Sequence, residues 1–160
     1  MTSLTLASLS SLEKSELIRL LEEKDRRARR RKLFTLYPDE GPLRRECYSK
    51  FIEFFAAGAK ERERAIIAAN RVGKSFGVGG YETTLHLTGL YPEWWMGRRF
   101  NAPVDAWAAG DTGETTRDII QVILTGVGGE REGGEIGTGL IPGDKSVGTP
   151  SRKMQPTGAF

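Results

Sequence analysis

Apolar residues recur at helical spacing in several stretches of this chain and bunch into short unbroken runs in two others. Ser10 and Glu13 stand three apart just ahead of Leu17, Leu20 and Leu21, the spacing of a capping box in which a hydroxyl and a carboxylate each satisfy an orphan backbone donor. A helix is predicted from there, its exposed side supported by Glu22/Arg26 and Glu23/Arg27 at a spacing of four. Leu43, Cys47, Tyr48, Phe51, Phe54 and Phe55 lay out a second helix, with Pro42 suited to its first turn and Gly58 to its stop. Between the two, residues 34–42 (FTLYPDEGP) carry two prolines and a glycine and read as an ordered loop.

The pattern then alternates. Residues 65–69 (AIIAA) are apolar throughout and bounded by polar residues, as expected of a strand buried on both faces of a parallel sheet. A helical pattern follows from Lys74 to about Leu87 despite Gly77, Gly79 and Gly80, each of which weakens a helix by roughly 1 kcal/mol relative to alanine. Their presence points to close backbone packing. Gly89 and Tyr91-Pro92 end that helix, residues 104–109 (VDAWAA) read as a second strand, and Asp111 is placed to cap a helix reaching about Leu124. Strand, helix, strand, helix argues for an α/β sheet with right-handed crossovers and ligands at the carboxyl ends of its strands. Residues 126–143 are glycine-rich with no further core strand readable, and neither repeats nor heptads appear. The organisation expected is a helical basic arm over residues 1–33, an α/β domain over 34–143 and an irregular tail over 144–160.

Composition narrows the class. With 160 residues and 38% hydrophobic content, one domain with a modest core is the expectation. The net charge of +3 conceals a basic front half, 17 Lys+Arg against 11 Asp+Glu over residues 1–80, and a mildly acidic back half, 7 against 10. Residues 26–32 hold six cations in seven positions, which suit either a polyanion or a solvated helix end. Trp94, Trp95, Arg98 and Arg99 mix aromatics with cations as nucleic-acid surfaces do, although buried tryptophans closing a loop are the commoner outcome. The single cysteine, Cys47, excludes an intramolecular disulfide and fits a reducing setting; on its stripe it reads as a small buried apolar group. With His86 as the one imidazole there is no Cys/His zinc cluster, and His86 itself reads as packed or surface-lying. Glu114 and Asp118, one turn apart, read as charge favourable to a helix start. No apolar run approaches the roughly 20 residues that span a bilayer, and no signal-peptide core is present.

The most informative segment is residues 68–75, AANRVGKS, lying between the first predicted strand and a helix. It is a variant Walker A loop, with Ala68 where the pattern GxxxxGK[ST] has its first glycine. Backbone N–H groups around Gly73 and at the helix start would wrap an anionic phosphate, favoured by the helix dipole. Lys74 would reach the β- and γ-phosphates of ATP and the Ser75 hydroxyl would ligate Mg²⁺. The binding set expected is Asn70, Arg71, Val72, Gly73, Lys74, Ser75 and Phe76. The competing reading is a glycine-containing turn of another α/β fold, with Lys74 solvated.

Around this loop, AANRVGKSFGVGGYETTLHLTGLYPEWWMGRRF, PVDAWAAGDTGETTRDIIQ and the upstream LFTLYPDEGPLRRE together resemble the large terminase subunits of tailed phages, over about residues 33–143. Blocks such as HLTGLYP and Trp94-Trp95 have no generic catalytic meaning, which makes the resemblance specific. It implies a P-loop NTPase domain of the RecA/ASCE-like kind, with a parallel sheet flanked by helices. It also implies an ATPase that drives double-stranded DNA into a procapsid, working as a homo-oligomeric ring with portal protein and small terminase subunit, in the host cytoplasm and off any membrane. Lys74 and Ser75 take the Walker A and Mg²⁺ roles. Arg71, three residues before Lys74, takes the place of a loop arginine thought to stabilise transition-state charge, or else faces solvent or DNA. The family holds adenine with residues upstream of the loop, often a glutamine; Tyr37, Pro38 and Tyr48 stand in that region, with Tyr37 a stacking candidate.

Hydrolysis in this superfamily needs an apolar strand ending in Asp-Glu, to orient Mg²⁺ and polarise water, and none is readable. Residues 107–112 (WAAGDT) come nearest and lack the glutamate. Residues after Gly143 leave the family pattern, which points to truncation or a changed frame, and the nuclease part is not present. The 160 residues alone are expected to bind nucleotide weakly and to turn over almost none. The alternatives are a nucleotide or nucleoside kinase using the same loop, and a non-enzymatic DNA-binding assembly fragment resting on residues 26–32.

Overall fold

The computed structural model of the chain describes residues 11–29, 31–127 and 137–145; within them the helical spacings become helices and the apolar runs do not become strands. Helix α1, Ser11–Arg29, follows the first stripe, leaving Ile18, Leu20 and Leu21 more than half exposed. Ser10 of the expected capping box, residue 30 and the side chains of residues 26–29 lie outside the described residues.

The second helix starts later than the spacing predicts. Arg45 N–H donates to the Pro38 carbonyl at 2.8 Å and its guanidinium pairs with Asp39, folding residues 38–45 back on themselves. A 3₁₀ turn, Arg45–Tyr48, follows, and only then α2, Ser49–Ala57, which ends at Gly58 as expected. Leu43 stays in the folded-back segment ahead of the turn and is exposed, and three residues per turn instead of 3.6 shifts the register so that Cys47 faces solvent. The reading of Cys47 as a buried apolar group is therefore corrected.

The core is aromatic, built from Leu33, Tyr37, Phe55, Val78, Tyr81, Leu85 and Trp95, with Tyr48, Phe51, Phe54, Ile66 and Trp94 packed around it. Tyr37 meets Tyr48, Phe55, Tyr81 and Trp94 edge-on, at centroid distances of 5.4, 5.8, 4.9 and 5.7 Å. Ring edges are positive and faces negative, so this geometry is the favourable one.

The helix expected after the glycine loop forms, but its first part is wide. A π-helical segment, Lys74–Gly80, runs straight into α3, Tyr81–Thr88, which stops at Gly89 with φ of +70°. At Gly80 a Cβ would lie 2.6 Å from Ile123 Cγ2 and 3.0 Å from Leu140 Cδ1, which is the close packing that the glycines foretold. The last helical stretch comprises α4 (Gly113–Thr115), a π-helical segment (Thr116–Gln121) and α5 (Val122–Thr125). Its cap is Thr112, whose hydroxyl accepts from Thr115 N–H at 3.1 Å, and not Asp111.

Two differences from expectation concern the sheet and the packing of the chain beyond Leu124. Among the described residues no strand ladder forms: residues 65–69 and 104–109 have no neighbouring strand, and Ile67 and Trp107 are 97% and 99% exposed. A strand is completed by its neighbours' N–H and C=O groups, and no described segment supplies them. Residues 137–143, where no further core strand was legible, form none and fold back onto α5. Gly137, Leu140 and Ile141 donate to Thr125, Ile123 and Leu124, and Leu140 and Pro142 are fully buried.

Candidate functional site

The loop between residues 65–69 and the π-helical segment turns on Gly73, whose φ of +89° and ψ of 13° lie in the left-handed region that favours glycine. A Cβ there would meet nothing closer than Phe51 Cε2 at 4.0 Å, so the requirement for glycine is one of backbone conformation. Arg71 is also left-handed, with φ of +63°, an uncommon state for a residue with a side chain and one that clusters at ligand-binding turns. Gly77 N–H returns to the Gly73 carbonyl at 2.7 Å. The amides ahead of it begin the helix, where no preceding turn offers carbonyls, and such donors serve anions.

Lys74 closes the loop from its own first helical position. Its Nζ donates to the Ala68 carbonyl at 2.5 Å and to the Ala69 carbonyl at 2.6 Å, so the ammonium bridges the mouth from helix to upstream limb. Asn70, Arg71, Val72, Gly73, Ser75 and Phe76 are exposed around it. The expected set is therefore brought to one turn. The Arg71 guanidinium is free of hydrogen bonds and ion pairs among the described residues.

For Mg²⁺ the local donor is the Ser75 hydroxyl, exposed beside Lys74. Among the described residues no group of three or more His, Cys, Asp or Glu side chains could hold a metal. That donor set fits Mg²⁺ carried chiefly by a nucleotide's phosphates and water, which is how this ion is commonly bound. When bound, it would neutralise charge on the β- and γ-phosphates.

Tyr37 is a strut beneath the loop. It is 5% exposed, has φ of +57°, and its Oη donates to the Gly77 carbonyl at 2.5 Å. Burial raises the pKa of the Tyr37 phenol, with further upward pressure from Tyr81 and Tyr48, and burial likewise raises that of Tyr81. One edge of Tyr37 borders a cavity of about 410 Å³ shared with Leu36, Pro38, Arg45, Tyr81 and Trp94.

The aromatic and basic cluster that could have met nucleic acid closes a loop instead. Trp95 is 3% exposed and donates its indole N–H to the Arg98 carbonyl at 3.0 Å; Arg99 donates to the Pro92 and Trp95 carbonyls. Trp94 stacks on Tyr81 with an interplanar angle of 1° and carries the Arg45 guanidinium 4.9 Å from its ring centroid. His86 packs, its Nδ1 3.0 Å from Tyr91 Oη and its Nε2 3.5 Å from Glu82 Oε1. Asp118 is gripped by Arg117 at 2.6 and 3.1 Å, a pairing that holds its carboxyl below the usual range.

A buried ion pair that the sequence did not reveal is Arg64–Glu82, 2.9 Å apart. Its signal was faint: a cation at the edge of an apolar run and a carboxylate within a helix.

Compared with known proteins, the chain is 38% identical over 149 residues to the large terminase subunit of Salmonella phage P22, a match covering 86% of this chain. The chain spans 28% of the length of that relative. No family model matches the chain, and no solved structure matches it. The resemblance read from its motifs is borne out.

Proposed function

We propose that this relative of phage terminase large subunits is the ATP-binding portion of a DNA-packaging motor, coupling hydrolysis to the passage of double-stranded DNA into a procapsid. The observation that carries the reading is the turn at residues 68–75. Left-handed Gly73, free helix-start amides and the Lys74 ammonium converge there in a chain related to a terminase over most of its own length. In this reading the amides from Asn70 to Phe76 cradle the triphosphate, and Lys74 trades the Ala68 and Ala69 carbonyls for β- and γ-phosphate oxygens. Ser75 joins the Mg²⁺ shell, and Arg71, its guanidinium without a partner among the described residues, neutralises charge developing on the transferring phosphoryl group. The α/β sheet belongs to the same proposal, with residues 65–69 and 104–109 as paired strands.

Double-stranded DNA, a portal protein, a small terminase subunit and further copies of the large subunit are the partners proposed, in the host cytoplasm at the procapsid. No helix among the described residues is long and apolar enough to cross a membrane. The test is ATP hydrolysis and DNA packaging by a full-length large subunit carrying this loop, with DNA and procapsids supplied. Activity that Lys74→Ala removes is expected; a full-length protein without ATPase activity under those conditions contradicts the reading.

A further inference from the structure

The Lys74 ammonium carries three protons, two of them given to the Ala68 and Ala69 carbonyls, so gripping both a β- and a γ-phosphate oxygen releases at least one of these carbonyls. Something else must then keep the upstream limb in place. Residues 65–73 have no strand partner among the described residues; Ile66 alone is half-buried, and the rest are exposed. The fixed point is the residue just before them. The Arg64 Nη1 donates to the Phe54 carbonyl at 2.7 Å and Nη2 to Glu82 Oε1 at 2.9 Å, with the guanidinium 4.6 Å from the Phe54 ring centroid. It occupies the space a side chain at Gly58 would need, a Cβ there falling 2.7 Å from its Cζ.

Glu82 is 8% exposed and sits on α3, the continuation of the helical segment that begins at Lys74. The pair therefore ties the root of the upstream limb to the helix that carries the downstream limb, and so sets the separation of the loop's two sides. Glu82 is itself braced by His86, whose Nδ1 lies 3.0 Å from Tyr91 Oη, which in turn accepts from Phe100 N–H at 3.1 Å. A charge pair this buried and doubly hydrogen-bonded is costly to retain unless its geometry is used.

Resting on the nucleotide reading above, we propose that Arg64, held by Glu82, is a positioning residue that keeps the upstream limb of the loop in register when Lys74 transfers from the Ala68 and Ala69 carbonyls to the phosphates. A guanidinium fork is needed because one planar group must serve the Phe54 carbonyl and the Glu82 carboxylate together.

The test titrates Mg-ATP into the chain and into Arg64→Met, Arg64→Lys and Glu82→Gln, with affinity referred to the folded fraction seen by near-ultraviolet circular dichroism. Hydrogen exchange over residues 65–73 is followed with and without nucleotide. Arg64→Met and Glu82→Gln are expected to weaken binding about tenfold, Arg64→Lys to recover part of the loss, and exchange over 65–73 to quicken in the bound state of both weakened variants. Unchanged affinity per folded molecule in all three variants would overturn the role. Should the parent chain itself take up no Mg-ATP, the nucleotide reading fails separately. The anchor is then judged by limited proteolysis across residues 65–73: quicker cleavage per folded molecule in Arg64→Met supports it, and unchanged cleavage overturns it.

Discussion

The Tyr37 hydroxyl donates to the carbonyl of Gly77, 40 residues along the chain, and this bond joins the proline loop to the first turn of the helix behind Lys74. A carbonyl of the π-helical segment thus takes a side-chain donor from outside the helix, and the tyrosine that supplies it is itself left-handed.

Tyr37→Phe keeps the ring and its edge-on contacts but strips the donor. A single buried hydrogen bond of this kind is worth about 1 kcal/mol net, and an unsatisfied partner costs more, so a loss of about 1–2 kcal/mol is expected in urea unfolding. A change below a few tenths would mean the bond is not formed in solution.

Alkaline pH reports on the same core. Burial raises the folded-state pKa of both Tyr37 and Tyr81 above the ordinary phenol value. A group raised on folding contributes stability that is whole below its unfolded pKa, about 10, and is lost as pH climbs from there towards the folded value. Thermal midpoints are expected to fall above about pH 10, and absorbance at 295 nm to show a late phenol step that shrinks in Tyr37→Phe and in Tyr81→Phe. A late step unaltered by either substitution would contradict the assignment.

Gly80→Ala tests the packing of the π-helical segment against α5 and the returning chain. The new Cβ would press on Ile123 Cγ2, Leu140 Cδ1 and the Ser75 carbonyl. Overpacking of this sort costs about 1–3 kcal/mol. Combined with Ile123→Ala, which removes the Cγ2 methyl in closest contact, the two losses should be less than additive. Additive effects of the two changes would place Ile123 elsewhere.

Arg71→Ala separates holding a nucleotide from splitting it. With no protein partner to lose among the described residues, the substitution should leave stability within about 0.5 kcal/mol. In a full-length large subunit, ATP affinity should change little while turnover falls by about 10²-fold or more. Equal losses in affinity and turnover would make Arg71 a ground-state contact.

Much of this was legible in the chain itself. The turn at residues 68–75 and the helix from Lys74 to the Gly89 stop were written in local chemistry, because a left-handed glycine and a helix start need only their neighbours. The strand expectation for residues 65–69 and 104–109 is not met among the described residues, since a ladder depends on partners that local composition does not specify. Cys47 was misplaced because Arg45 binds back to Pro38, a tertiary contact that no periodicity reveals. The packing of Leu140 was not legible because a few apolar residues among glycines carry no sustained period, and Arg64–Glu82 was missed because its members are 18 residues apart.

The most direct measurement is calorimetric titration of Mg-ATP into the folded chain beside Lys74→Ala and Gly73→Ala. Heat from the parent chain that disappears with Lys74→Ala and is sharply reduced with Gly73→Ala is the predicted result. Equal heats from all three folded proteins would contradict a phosphate site at this turn.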